Sequence, residues 1–252
     1  MNSANQQLAF YLELLRDKII PLSVLPEIGL FLTQKKKHLR LTVEESHFVT
    51  VAAKLNQIGV TFSHKKIFSI YRGNTWYDIK FEKHMSEADL QTKYDVRFLI
   101  CCSQEGSDPC EVLEAEEKGQ IDKAGALLGY PNCCINAIDE LNSSGDRWPL
   151  LLLERTIGQA NGYANRLASV WGGTSFTGEL FPCSLNCERT VSLGKMAENA
   201  LWELGLHRLA REIQYMSQRP VLVNNQTGEI SAINESNIKL IENDTYQAVF
   251  FK

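Results

Sequence analysis

Three absences narrow the reading of this chain. It has no basic surplus. Its net charge is -4, which argues against a dedicated nucleic-acid binder, whose balance is usually basic. It has no long apolar run. The densest, Leu150 to Leu153 behind Pro149, falls far short of the ~20 residues a membrane helix needs, so no membrane span is expected. It also lacks a secretory leader: Met1-Asn2-Ser3-Ala4-Asn5-Gln6-Gln7 has neither the basic start nor the apolar core of one. The expected location is therefore the cytoplasm. No internal repeat, heptad array, HExxH motif or Ser-His-Asp arrangement is present, and Gly172-Gly173 alone does not signal phosphate binding.

What is present is an ordinary globular composition, 44% apolar and 22% charged, over 252 residues. That length suits one large domain or two small ones with a real core. Cysteine stands out. Seven is an odd number, and in a chain expected to stay inside the cell it favours metal binding or thiol chemistry over disulfides.

Local patterns predict an α+β fold. Leu8, Tyr11, Leu12, Leu15 and Ile19 recur at helical spacing. Pro21 and Pro26 then break the chain, and Lys35 to Arg40 forms a short basic run, expected as a solvated loop or a phosphate-contacting patch. Thr42-Val43-Glu44-Glu45 fits a capping box for a helix that stops at Gly59. Strands are expected over Val60 to Phe62, Lys66 to Arg72, Trp76 to Phe81 (after a Gly73-Asn74-Thr75 turn) and Asp95 to Ser103. Cys101 and Cys102 share the last of these and point to opposite faces, which suits core residues better than joint ligands. Cys110 falls in the first turn of a helix over Pro109 to Leu128, as a spare ligand or reactive thiol.

The remainder reads as helix from Pro131 to Leu141, from Asp146 to about Val170, from Ser184 to Leu204 and onward to Gln218. A hairpin over Pro220 to Ile233 and a strand over Tyr246 to Phe251 close the chain. The expected organisation is an α/β module at 1–105, a helical cysteine-bearing region at 106–219 and a β segment at 220–252. That last segment either continues the first module or stands apart from it.

Four cysteines fall in two phrases, Leu128-Gly129-Tyr130-Pro131-Asn132-Cys133-Cys134 and Phe181-Pro182-Cys183-Ser184-Leu185-Asn186-Cys187. Each has a proline just ahead of its first cysteine and reads as a helix start. Unpaired N–H groups and the positive dipole end stabilise thiolates there. Cys133, Cys134, Cys183 and Cys187 are therefore the expected ligands of one metal site. An adjacent Cys-Cys pair suits the separate corners of an iron–sulfur cluster, 4Fe–4S first, better than one zinc ion, whose pairs usually stand two to four residues apart. Zinc is the alternative.

The two phrases resemble the LGYPxCC and PCSxxC motifs of a prokaryotic family of uncharacterised proteins. The resemblance covers roughly Val96 to Ala200. It implies that Gly129, Tyr130, Pro131, Cys133, Cys134, Pro182, Cys183 and Cys187 form that family's defining site, and it implies no reaction.

Between the phrases, Arg155, Gln159, Asn161, Asn165 and Arg166 recur at helical spacing. Arg155 and Arg166 are candidates to hold a carboxylate or phosphate. Asn161 and Tyr130 complete the candidate catalytic set. Three functions follow. The first is an iron–sulfur enzyme or enzyme subunit acting on a small-molecule substrate. The second is an electron-transfer or sulfur-relay accessory with a redox partner. The third is a zinc-stapled interaction protein, with Lys35 to Arg40 touching RNA. Oligomeric state is open.

Overall fold

The structure, a computed structural model, describes residues 3–72, 76–81, 84–85, 95–171, 174–233 and 245–252. The Gly73–Thr75 turn and the Gly172–Gly173 pair lie outside them. The chain forms two compact units, Met1–Val24 with Gln34–Gly129, and Leu25–Thr33 with Tyr130–Lys252. The class is α+β, with two antiparallel sheets. Among the described residues no helix is long and apolar enough to cross a membrane.

The first unit holds α1 (Ser3–Arg16), β1 (His38–Glu44), α3 (Glu45–Gln57), β2 (Thr61–Arg72), β3 (Trp76–Phe81), β4 (Asp95–Ser103), α4 (Pro109–Glu117) and α5 (Ile121–Leu127). Its sheet runs β1-β4-β2-β3. β4 is central because its Val, Leu and Ile residues fill both faces. Leu99, Ile100, Cys101 and Cys102 are all buried. Cys102 lies beside Tyr11 of α1, while Cys101 lies toward Glu116 of α4. Burial pushes the Cys102 thiol up to about 12 and raises Cys101 as well. Both are inert core thiols, as adjacent strand positions predict. α3 covers the first face, stacking Phe48 on Phe98 at 3.8 Å.

Two expectations fail here. Thr42 is not an N-cap. It lies inside β1, and Glu44 precedes the helix with no side-chain cap bond. The alternation of Leu39, Leu41 and Val43, all buried, outweighs the capping pattern. Lys35 to Arg40 fails as a solvated loop in its second half, since Lys35 and Lys37 are exposed but β1 begins at His38. Lys36 and His38 are buried, and Arg40 pairs with Glu116 at 2.9 Å.

The second unit holds α2 (Leu25–Leu32), α6 (Asn132–Ile135), α7 (Ile138–Ser143), α8 (Trp148–Glu154), α9 (Glu188–Glu203), α10 (His207–Ser217) and the sheet β6-β5-β7, formed by β5 (Val221–Asn224), β6 (Ile230–Ala232) and β7 (Tyr246–Val249). Pro26 does not break the chain. It sits in the first turn of α2, where proline lacks no needed donor. α2 packs on α9 so closely that a Cβ on Gly29 would lie 2.9 Å from Leu201 Cδ2.

The long helix expected to reach Val170 ends at Glu154. Gly158 has φ 86°, and Gly162 packs where a Cβ would meet Gln218 Cγ at 3.1 Å. The irregular stretch that follows is tied to the chain end, with Gly162 N–H donating to Lys252 O (3.0 Å) and Lys252 N–H to Ala160 O (3.2 Å). α9 lies against it through Gly194, where a Cβ would sit 2.9 Å from the Tyr163 carbonyl oxygen. Gly194→Val is therefore expected to destabilise the protein by about 3 kcal/mol through overpacking against backbone, measured by urea denaturation.

Candidate metal centre

Gly129 (φ 75°) ends the helical stretch before the first phrase, as its position predicts. Pro131 is the N-cap of α6, and Cys134 N–H and Ile135 N–H both donate to Pro131 O, at 2.9 and 3.0 Å. The helix expected to run to Leu141 is broken after this single turn, so Cys133 and Cys134 project from one tight loop of chain. The second phrase departs further. Cys183 to Asn186 form a turn closed by Cys187 N–H to Ser184 O at 3.2 Å, and α9 begins only at Glu188 with Cys187 as its N-cap. Cys183 and Cys187 do not share a helical face. Ser184 bonds the Asn186 side chain (3.0 Å) and does not cap the helix.

The second turn is held from outside. Leu185 N–H donates to Thr156 Oγ1 (2.9 Å), Asn161 N–H donates to Leu185 O (2.8 Å), and Asn186 Nδ2 donates to Ile157 O (2.5 Å). Glu27 of α2, 3% exposed, ties Tyr130 of the first phrase to the chain just ahead of the second. Its Oε1 accepts from Tyr130 Oη at 3.0 Å and from Glu179 N–H at 2.9 Å. Gly178 (φ 59°) is required beside it, since a Cβ there would lie 2.7 Å from Glu27 Cγ.

The four sulfurs converge. All lie within 4.8 Å of one another. Cys133 to Cys187 is 3.6 Å, Cys134 to Cys187 3.8 Å and Cys133 to Cys134 3.9 Å. Cys134 and Cys187 are buried, and Cys133 and Cys183 are half-buried. Leu180, Leu193 and Tyr130 pack around them. This cluster can hold a metal.

Two groups bond the buried Cys134 sulfur. Cys183 N–H lies 3.4 Å from Cys134 Sγ, and Thr190 Oγ1 lies 3.1 Å from it. With no ion bound, the cluster shares protons unequally. The hydrogen bond from Cys134, helped by Thr190, holds the Cys187 thiol down at about 4. Giving that bond, together with burial, pushes Cys134 up. Burial first, then the neighbouring Cys187, pushes Cys183 up to about 12. An ion must displace these protons, so affinity is expected to fall as pH is lowered from about 8 to 6, measured by chelator competition.

The other candidate residues serve the scaffold. Arg155 pairs with Glu140. Asn161 caps a short turn by accepting from Tyr163 N–H at 3.0 Å. Arg166 donates to Gly178 O at 2.7 Å and lies 4.4 Å from the Phe181 ring centre, supporting the loop ahead of Cys183. Tyr130 packs against the cysteines themselves. Cys110 is exposed at the start of α4 in the first unit.

Thr190 and Glu27 were not singled out from the sequence, although each leaves a trace there. Thr190 stands three residues after Cys187, on the same helical face. Glu27 is the one charged residue in the apolar run Leu25–Leu32. Thr190→Val keeps the volume and removes the hydroxyl. It is expected to weaken metal binding about 10–100-fold, the usual effect of losing a group that supports a ligand, with Thr190→Ser restoring it in the same competition titration. No protein-family model, curated protein or solved structure matches this chain.

Proposed function

We propose that the second unit is a zinc-stapled domain, in which Cys133, Cys134, Cys183 and Cys187 hold one tetrahedral ion whose task is structural. The observation that carries this reading is the spacing of the sulfurs. A tetrahedral zinc ion with bonds of about 2.3 Å sets its sulfurs about 3.8 Å apart. The three pairs among Cys133, Cys134 and Cys187 stand at 3.6, 3.8 and 3.9 Å, and Cys183 lies within 4.8 Å of each. A 4Fe–4S cluster places each cysteine on a different iron, with sulfide between the irons, and so needs thiolates spread well beyond mutual contact. The spacing thus favours zinc over the cluster that the adjacent cysteine pair suggested.

Four protein thiolates leave no coordination position for water or substrate, which is the pattern of structural rather than catalytic zinc. Arg155, Asn161 and Arg166 have scaffold partners, which supports the same view. The reading is of a metal-held interaction or scaffold protein rather than a redox enzyme. The resemblance of both phrases to the LGYPxCC and PCSxxC motifs extends the proposal to the proteins that carry them.

Metal and sulfide analysis of protein prepared without air tests it. One zinc per chain and no sulfide is the expected result. Iron with an equal amount of sulfide would instead support a cluster, with an enzymatic, electron-transfer or sulfur-relay role.

A further inference from the structure

The four thiolates are not equivalent toward an attacking molecule. Cys134 is 1% exposed and Cys187 8%. Both are also hydrogen-bonded: Cys134 by Cys183 N–H and by Thr190 Oγ1, and Cys187 by Thr190. Such bonds draw charge from a sulfur and lower its nucleophilicity. Cys183 is half-buried within the turn that Leu185 and Asn186 anchor. Cys133 is half-buried too, and its sulfur lies 3.6 Å from that of Cys187. It combines access with a partner sulfur within reach, which suits oxidation followed by disulfide closure.

We propose that Cys133 is a modification site, the sulfur at which hydrogen peroxide opens the centre, and that Cys187 is its resolving partner. This inference rests on the single-ion reading above. In the first step the Cys133 thiolate attacks one peroxide oxygen, the O–O bond breaks, hydroxide leaves, and Cys133 becomes a sulfenic acid. In the second, the Cys187 thiolate attacks the Cys133 sulfur, the S–O bond breaks, a second hydroxide leaves, and a disulfide forms. Two thiolates lose two electrons in all, and the peroxide gains both. The ion, left with two protein thiolates, departs as the hydrated dication.

Cys187 rather than Cys134 closes the bond for a geometric reason. Neighbouring Cα atoms are about 3.8 Å apart, short of the roughly 4.4–6.8 Å that disulfides span.

The wild-type chain, assayed at one zinc per molecule, supplies the test. It is treated with increasing hydrogen peroxide beside a zinc-sensitive dye, then alkylated and mapped by peptide mass spectrometry. A parallel sample carries dimedone to trap sulfenic acid. Exposed Cys110 reports that the oxidant has acted. The expected result is one zinc released per Cys133–Cys187 disulfide, reversed by dithiothreitol and added zinc, with dimedone on Cys133 ahead of the other three. Zinc retained after Cys110 has been oxidised overturns the inference, as does first labelling of Cys134, Cys183 or Cys187. The underlying reading fails separately, at the initial assay, when that assay finds no zinc or finds iron with sulfide.

Discussion

Stripping the metal with a strong chelator is expected to unfold the second unit. The ion would join two short turns that have little helix of their own, α6 being one turn and Cys183 to Asn186 having none. Structural zinc sites in small domains contribute about 10–16 kcal/mol of apparent binding energy. That equals or exceeds the roughly 5–15 kcal/mol by which a whole domain is usually stable. The hydrogen bonds that Thr156, Asn161 and Glu27 make around the turns are worth about 1 kcal/mol each and do not make up the difference. Hydrogen exchange offers a local readout. Protection should vanish along α9, α10 and β5 on chelation and return with added zinc, while β1, β2 and β4 of the first unit keep theirs. An unchanged exchange map and melting curve in metal-free protein would remove the staple from the account.

The second large effect separates ligands from ordinary buried cysteines. Serine at Cys133, Cys134, Cys183 or Cys187 should lower bound metal below one per chain, with a loss of affinity beyond the 100-fold that ends the range for supporting residues. Cys101→Ser should leave the metal content unchanged. That substitution still costs about 1–3 kcal/mol, because it puts a hydroxyl in a buried apolar site, so the variant controls for destabilisation as well as for thiol loss. Equal depletion of metal in all five variants would mean that general unfolding had been mistaken for ligation.

The convergence of the four cysteines was legible in the sequence because its signal is chemical: two proline-led thiol phrases in a chain without a disulfide framework. β3 and β4 were legible too, with bounds that match the structure, since runs such as Val96 to Cys102 have no competing helical pattern. Gly129 marked a helix end correctly, and it has positive φ. The failures share a cause, in that local pattern was overruled by distant contacts. Proline ahead of cysteine read as the start of a long helix, yet the chain turns to bring sulfurs together. Arg155 to Arg166 had helical spacing, but Gly158 and Gly162 let the chain run irregularly against Ser217 and the C-terminal residues.

α2 has a consequence for how the protein is made. Its residues Leu25–Phe31 are wholly buried, and the helix it rests on, α9, lies more than 150 residues further along the chain. At roughly 5–20 residues per second of synthesis, this greasy segment waits about 8–30 seconds for its seat to emerge. The newborn chain must shelter it over that interval. A fragment begun at Tyr130 would be born with the seat vacant, so the second unit cannot be harvested by a single cut.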